Sequence, residues 1–437
     1  MSAPALGAAN VRALAAEALS RIVQGDSLRA TFATFSTKLH DARDRALLSS
    51  LLHEGARWWL RYDAAVARLL ERPLRDGDAH ALVVLGLIQL EVLRLPEYAA
   101  VAATVEAMRA LNRPKYAGLA NALLRRWLRE RVALCAVLDA DEVTRSAHPH
   151  WLLEAFKADW PADVDAILTA NNVQAPLWLR VNRRRATRVA LLDQFAAAGV
   201  AAHAPEQTAD AIVLAQSTDI TRLPGYAEGA FSVQDGAAQF AADLLDLGDG
   251  QRVLDACAAP GGKSAQILER ADVHLVAVDS DARRLPRLHE NLARLQLSAD
   301  VRAGDAAQPA AWWDGVPFQR ILIDAPCSAS GILRRQPDIK LHRRANDMPA
   351  LLATQARLLD ALWPLLARGG RLVYATCSLL ADENARQIVR LIAQHADARL
   401  STDAPAGWRA PTGGGTQNLP GEAGMDGFFY AVVEKAD

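Results

Sequence analysis

The stretch RVLDACAAPGGKS, residues 252–264, decides the fold of this chain, because it joins a short apolar strand to a glycine-containing turn and the start of a helix. From about Gly250 onward similar strands alternate with stretches of helical periodicity: RVLDA, HLVAVD, DVRAGD, RILIDAP and RLVYATC, with GFFYAVVE last. This alternation predicts a parallel, doubly wound, Rossmann-like α/β domain. Ligands bind such sheets beyond the carboxyl ends of the strands, so the residues there are the candidates for a site.

The loop after the first strand is a candidate nucleotide-binding loop. It consists of Cys257, Ala258, Ala259, Pro260, Gly261, Gly262 and Lys263. Its two glycines allow backbone N–H groups to approach a ligand closely at a helix start. The G-G-K-S sequence imitates a phosphate-binding loop, but such a loop requires a glycine where Cys257 stands, and Pro260 has no N–H to donate. A magnesium-dependent ATPase therefore stays an alternative and not the main prediction.

Acidic residues end three successive strands: Asp279, Asp305 and Asp324. Asp279 is placed to accept hydrogen bonds from both ribose hydroxyls of a nucleoside, and Asp305 from an adenine amino group. An adenosine carried without phosphates fits this set, and S-adenosylmethionine meets that description. A single acid of this kind is often only a helix cap, but three at successive strand ends favour a binding site.

Two of the four cysteines also stand at predicted strand ends, Cys327 in D-A-P-C-S and Cys377 in A-T-C-S. Thiolate addition to carbon 6 of a pyrimidine makes carbon 5 nucleophilic enough to attack a methyl sulfonium, and a base must then remove the carbon-5 proton. One cysteine as nucleophile and the other as base or release group would meet this need. These residues alone leave open which cysteine plays which part.

The first part of the chain has a different spacing of apolar residues. From Asn10 to about Cys135 apolar residues recur at helical spacing, with breaks near Gly25, Pro73 to Gly77, and Pro96, which predicts an all-helical domain. Its most apolar run, residues 80–95, is interrupted by charges and predicts a buried helix, not a membrane span. Between residues 148 and 229, a helical stretch over 151–169 is followed by strand, helix and strand, which predicts a small α+β module.

Composition excludes several classes of protein. With 51% apolar and 23% charged residues the chain is typical of a soluble globular protein, and its net charge of −1 neither requires nor excludes a polyanion partner. Four dispersed cysteines without a C-x-x-C pair indicate a reduced, cytoplasmic protein with no metal site. No membrane segment and no obligate protein partner are expected.

From residue 231 onward the chain resembles the NOL1/NOP2/Sun family of RNA cytosine-5 methyltransferases. The motifs that carry the resemblance are FSVQDGAAQ, PGGK, VDSD, GDA, DAPCSASG, RRQPDIK, YATCS and DGFFYA, in that order. The helices that include NRPKYAGLANALLRR, residues 112–126, look like a NusB-type RNA-binding domain. The resemblance implies three parts: a NusB-like domain over 1–145, an α+β module over 146–230, and a class I methyltransferase domain over 231–437.

The family resemblance also implies a function and a site. The donor, S-adenosylmethionine, would bind residues 257–263 with Asp279, Asp305 and Asp324, and the product would be 5-methylcytidine at position 967 of 16S rRNA, in naked rRNA or an assembly intermediate. Cys377 would be the nucleophile and Cys327 would assist release, with Asp324 also among the catalytic residues.

Further basic residues flank the P-C motif. Arg334, Arg335, Arg343 and Arg344 are candidates for holding RNA phosphates. One departure from the family is Leu341, where tryptophan is expected. A non-enzymatic RNA-binding scaffold is the remaining alternative, which the presence of both cysteines argues against.

Overall fold

The computed structural model describes residues 8–216 and 218–437, and the chain divides into two compact units. The first unit holds the chain up to Val173 together with a short later segment, Leu333–Ala345. The second unit holds Gln174–Ile332 and Asn346–Asp437. The chain therefore leaves the second unit after Ile332, contributes one short segment to the first unit, and returns.

The first unit is helical, as its apolar periodicity predicts. Its helices up to Val173 are α1 (Ala8–Val23), α2 (Leu28–Ser36), α3 (Ala42–Leu69), α4 (Gly77–Glu91), α5 (Glu97–Ala110), α6 (Ala117–Ala140), α7 (Glu142–Ser146), α8 (His150–Asp159) and α9 (Val164–Asn171). The predicted breaks fall between helices. The helix expected over 151–169 is interrupted after Asp159, because Pro161 has no N–H to continue the helical ladder.

Helix α4 is the centre of this unit. Its residues from Ala79 to Leu90 are almost all buried, and it packs against α1, α3 and α5. The apolar run that raised the question of a membrane span is therefore the buried helix that the sequence predicts. Within the part of the chain that the structure describes, no helix is long and apolar enough to cross a membrane.

A four-stranded antiparallel sheet begins the second unit. It contains β1 (Leu177–Val181), β2 (Ala202–His203), β3 (Ala211–Leu214) and β4 (Phe231–Val233), in the order β2-β3-β1-β4, with α10 (Arg188–Ala197) between β1 and β2. Leu179, Ile212 and Phe231 form its core with Leu191 and Phe195 of the helix. Strand β4 comes from the FSVQD stretch. The family resemblance assigns this stretch to the methyltransferase domain, but in the structure it completes the smaller sheet.

A larger mixed sheet forms the rest of the second unit. Its strands are β5 (Arg252–Ala256), β6 (His274–Asp279), β7 (Asp300–Ala303), β8 (Phe318–Asp324), β9 (Leu366–Thr376), β10 (Ala398–Leu400), β11 (Thr416–Asn418) and β12 (Phe428–Lys435), in the order β10-β12-β9-β8-β5-β6-β7, with β11 beside β12. The first five strands are parallel, as predicted. Strand β12 runs antiparallel to β9, which corrects the expectation of a wholly parallel sheet.

Helices cover both faces of this sheet. They are α11 (Phe240–Leu244), α12 (Gly262–Arg270), α13 (Leu285–Leu295), α15 (Met348–Leu362) and α16 (Ala385–Gln394), while α14 (Ile339–His342) lies in the segment that joins the first unit. Alternate residues of β5 point to opposite faces, so Val253 packs with α12 and α13, and Leu254 with α15 and α16. This double cover leaves the carboxyl ends of β5 to β9 together at one edge.

Candidate active site

The loop that follows β5 is tightly organised against β6. Cys257 adopts a left-handed backbone with φ 63°, and Ala258 N donates to Val278 O at 2.9 Å. Ala259 N donates to a carboxylate oxygen of Asp279 at 2.9 Å. Gly261 has φ 94°, and a Cβ there would lie 3.0 Å from Leu288, so glycine suits both its backbone and its packing.

The three predicted acids lie where their strands end, and each faces a basic side chain. Asp279 lies 3.4 Å from an Arg284 nitrogen, Asp305 3.2 Å from Arg357, and Asp324 2.7 Å from Lys263 Nζ; these are ion pairs. The end of β7 is tied to β6 because Gly304 N donates to the backbone oxygen of Asp279 at 3.0 Å. The strand ends therefore bring together carboxylates with compensating charge, as a site for a polar ligand requires.

Burial changes the acidity of two side chains behind this loop. Burial raises the pKa of Asp255 to about 7, although Ser264 Oγ donates to its carboxylate at 2.5 Å. Burial first, and then the charges of Asp324 and Asp279, raise the pKa of the Cys257 thiol. Cys257 is therefore a protonated part of the loop near those two acids. Asp255 was absent from the sequence-based site because it lies inside an apolar strand.

The two strand-end cysteines are neighbours. Cys327 follows β8, Cys377 follows β9, and their sulfur atoms are 3.5 Å apart, within hydrogen-bonding distance for sulfur. The hydrogen bond to Cys377 and burial raise the pKa of Cys327 well above its ordinary value. Cys377 is partly exposed and Cys327 is buried, so the pair consists of one accessible thiol and one enclosed, protonated thiol. Such a pair can add to a substrate and exchange a proton beside it.

Sequence reasoning missed the hydroxyl and carboxylate groups that support this pair. Ser328, Ser330 and Ser378 are buried next to the cysteines, and each has a hydroxyl hydrogen bond within a network that contains the carboxylate of Glu383. The available signal was the position of Glu383 six residues after Cys377, but an acid before a helix is usually read as a surface residue or cap.

The arginines near the P-C motif require a correction. Arg334 is only 5% exposed, and its backbone oxygen accepts a hydrogen bond from Arg57 at 2.8 Å within the helical unit. A side chain buried in this way is not available to hold an RNA phosphate, so that expectation is wrong for Arg334. The physical reason is that residues 333–345 pack with helices from the start of the chain, which no local pattern in this segment indicates.

The mixed sheet, its acid-lined loop and its thiol pair define the class of Rossmann-like methyltransferases. A family model described as 16S rRNA methyltransferase RsmB/F matches residues 242–434. The ferredoxin-like domain of RsmF/B-like methyltransferases matches residues 148–221, and the NusB family matches residues 9–129. These three matches agree with the predicted all-α, α+β and α/β organisation.

Whole-chain similarity then defines the family. The chain is 49% identical over 432 residues to ribosomal RNA small subunit methyltransferase B of Pseudomonas putida, covering 98% of each chain. It is 47% identical over 420 residues to the protein of that name from Xanthomonas campestris, covering 94% of each. The chain belongs to the RsmB/F family of methyltransferases.

Solved structures support the same fold. The crystal structure of PH0851 matches with a TM-score of 0.83 at 20% identity and covers all of both chains. A methyltransferase homolog protein from Pyrococcus horikoshii matches with a TM-score of 0.59 at 26% identity, covering 67% of this chain and 97% of that one. At 20% identity, the similarity to PH0851 supports the fold alone.

Proposed function

We propose that this protein transfers a methyl group from S-adenosylmethionine to carbon 5 of a cytidine in 16S rRNA, at position 967, through a covalent cysteine adduct at carbon 6. The observation that carries the proposal is the pair of sulfur atoms 3.5 Å apart at the ends of β8 and β9, beside an acid-lined loop. The relatives named above support an rRNA substrate, and such a substrate agrees with a cytoplasmic protein.

The donor loop fits an adenosine-containing methyl donor. A Cβ at Gly262 would meet no atom within 4 Å, so there is open space beside the first residue of α12. We assign residues 257–263 to the donor, with Asp279 accepting from the ribose hydroxyls and Asp305 from the adenine amino group. We assign Asp324 both to the donor site and to the catalytic residues. The reason is that β8 lies between β5, which leads to the donor loop, and β9, which leads to Cys377. S-adenosylmethionine supplies the electrophilic methyl group.

The proposed reaction has two halves, addition and release, and each cysteine acts in one of them. The Cys377 thiolate adds to carbon 6 of cytosine, which makes carbon 5 an enamine carbon that attacks the methyl group as the donor's sulfur leaves with the bonding electrons. A base then removes the carbon-5 proton, and the electrons of that bond expel the Cys377 thiolate. Cys377 is the more exposed thiol, which suits the nucleophile, while the enclosed Cys327 lies within reach to exchange a proton during release. The target base must leave its stack to enter such a site.

Single cysteine variants test the proposal. Cys377→Ala is expected to abolish methyl transfer and to form no covalent RNA adduct, because carbon 5 is never activated. Cys327→Ala is expected to form the covalent bond between Cys377 and the RNA but to break it slowly. A denaturant-resistant protein–RNA band should therefore accumulate in a gel. Cys135→Ala, a half-buried cysteine of the helical unit, is the matched control and should behave as wild type. The reverse pattern for Cys327 and Cys377 would exchange their assigned roles.

The target position needs a separate experiment. Bisulfite sequencing of 16S rRNA from a strain that lacks the gene should show loss of protection at one cytidine, restored by the wild-type gene and not by Cys377→Ala. We also propose that the NusB-like domain contributes RNA affinity. This must be tested in the full chain, because Leu341 belongs to the core of the helical unit and deletion of residues 1–145 would expose it.

A further inference from the structure

A fully buried carboxylate lies behind the two thiols. Glu383 is 0% exposed and stands just before α16. One of its oxygens accepts from Ser328 N at 2.7 Å and from Gln355 Nε2 at 3.0 Å. The other accepts from Ser328 Oγ at 2.5 Å and from Ser378 Oγ. These four donors are neutral, so hydrogen bonds from uncharged groups satisfy the carboxylate.

Two of the residues that donate to Glu383 stand next to the cysteines in the sequence. Ser328 directly follows Cys327, and Ser378 directly follows Cys377. A single carboxylate is therefore bonded to the residue after each cysteine. Two loops that are about fifty residues apart in sequence are held by one side chain, so its position constrains the distance between the sulfur atoms.

Further bonds join the same two loops directly. Gly331 N donates to Cys377 O at 2.9 Å, and Leu379 N donates to Ser330 Oγ at 2.9 Å. The hydroxyls of Ser330 and Ser378 are 3.2 Å apart. Gly331 has no room for a side chain, because an added Cβ would lie 2.2 Å from Gly427 O. The cysteine loops are thus closely packed, and Glu383 is the charged group of their shared network.

The charge of Glu383 also acts on the Cys327 thiol. After the hydrogen bond to Cys377 and burial, the negative charge of Glu383 contributes to raising the pKa of Cys327. A fixed negative charge favours the protonated thiol there. This effect suits a role for Cys327 as the thiol that keeps its proton until release.

We propose that Glu383 is a positioning residue for the thiol pair: by bonding the residue that follows each cysteine, it holds the Cys327 sulfur within reach of the Cys377 sulfur. This inference rests on the proposed two-cysteine mechanism. A carboxylate that only stabilises the fold would affect unfolding and leave the chemistry of folded molecules unchanged. Misplacement of reacting groups by about 1 Å can cost about 100-fold in rate, so a positioning role has a measurable consequence.

The test uses Glu383→Gln in the full chain. The amide keeps the shape of the side chain but replaces one acceptor oxygen by a donor group, which cannot accept from the serines. We expect kcat for methyl transfer to fall about 10- to 100-fold, with little change in KM for the donor, and a larger fraction of enzyme trapped on RNA. Glu434→Gln, a half-exposed acid of the same unit, is the matched control and should keep wild-type values.

A second readout does not depend on the methylation chemistry. Dibromobimane cross-links two thiols that lie close together, and mass spectrometry identifies the joined cysteines. Wild-type enzyme should give the Cys327–Cys377 product quickly, and Glu383→Gln more slowly. Ser378→Ala keeps the carboxylate but removes one donor, so it should have a smaller effect of the same kind and provides a milder variant if Glu383→Gln does not fold.

The outcomes separate the two proposals. If Cys377→Ala still methylates RNA, the two-cysteine mechanism fails, while slower cross-linking in Glu383→Gln would still support its positioning role. If folded Glu383→Gln shows wild-type kcat, trapped fraction and cross-linking rate, Glu383 is only a structural residue and the inference is overturned. Wild-type behaviour of Ser378→Ala in a chain where Glu383→Gln cannot fold would overturn it equally.

Discussion

Two adjacent parts of one motif-rich stretch end up in different units of the molecule. Residues 324–331, DAPCSASG, lie in the second unit and carry Cys327 beside Cys377. Residues 333–345, LRRQPDIKLHRRA, lie in the helical unit. Both parts carry the family resemblance equally well in the sequence. A specific motif can therefore report packing as readily as chemistry, and the burial and bonding partners of its residues distinguish the two.

The two lysines found inside motifs show this difference most clearly. Lys263 Nζ pairs with Asp324 at 2.7 Å in the candidate donor site. Lys340 is buried in the helical unit, where its Nζ donates to Arg57 O at 2.8 Å and to Asn172 Oδ1 at 2.9 Å. Burial lowers the pKa of Lys340 well below its ordinary value. Lys263 faces the proposed chemistry, and Lys340 satisfies two oxygens of the helical unit, one of them buried.

Lys340→Ala should give the largest effect on stability. The change leaves the buried Arg57 oxygen and the half-buried Asn172 oxygen without their donor and removes a long apolar stem, which together should cost about 3–5 kcal/mol of the free energy of unfolding. Urea denaturation of the full chain measures this cost. Lys340→Met keeps the apolar stem and should lose less stability than Lys340→Ala. A variant with wild-type stability and a lost kcat would instead place Lys340 in the chemistry and remove the contrast with Lys263.

Asp255→Asn tests whether a buried acid in the motif at residues 252–264 serves packing or donor binding. Burial raises the pKa of Asp255 from 3.8 to about 7, so between these values the folded protein holds a proton that the unfolded chain has lost. Stability therefore falls as pH rises through this window, and the full penalty applies above about pH 7. Asparagine cannot ionise, and its oxygen can still accept from Ser264.

The variant should thus gain stability over wild type as pH rises from about 4, with the gain levelling off above about pH 7 at roughly 4 kcal/mol. Thermal or urea unfolding over this range measures the gain. An equal effect at pH 5 and pH 8 would show that ionisation of Asp255 is not the cause. Donor affinity is the companion measurement, because a packing residue should leave it near the wild-type value.

Much of this architecture follows from local patterns. The parallel strands β5 to β9 alternate with helices, and their ends carry Asp279, Asp324 and Cys377, so the edge that bears the candidate site was predictable. Strand β12 was also predictable, but its direction was not, because an antiparallel strand needs no helical crossover and no sequence pattern distinguishes its direction. Strands β10 and β11 have three residues each, too few for a periodicity.

Long-range packing accounts for the remaining failures. Nothing near Arg334 or Lys340 indicates contact with helices some 280 residues earlier in the chain. Leu341, which replaces an expected tryptophan, lies 7% exposed in the core of the helical unit, so its apolar character has a packing reason that the motif alone did not reveal. Glu383 was missed for the same reason, because its partners lie on two separate loops.

Asp338→Ala should give the smallest effect, because it removes a single hydrogen bond between the inserted segment and helix α2. Helix α2 begins at Leu28, and Ser27 before it makes no side-chain capping bond. Instead an Asp338 carboxylate oxygen from the inserted segment accepts from Leu28 N at 3.0 Å. This contact satisfies an N–H group that has no partner within the helix and places a negative charge at its positive end.

Loss of this cap should cost about 1 kcal/mol of the free energy of unfolding, in the usual range for a helix cap, with kcat unchanged. Ser27→Ala is the matched control, because its hydroxyl takes no part in the cap, and it should change stability by less than about 0.5 kcal/mol. If Ser27→Ala costs more than Asp338→Ala, the cap is local and the inserted segment does not supply it. If Asp338→Ala lowers kcat at unchanged stability, the RRQPDIK motif acts in the reaction, and its separation from DAPCSASG into packing and chemistry fails.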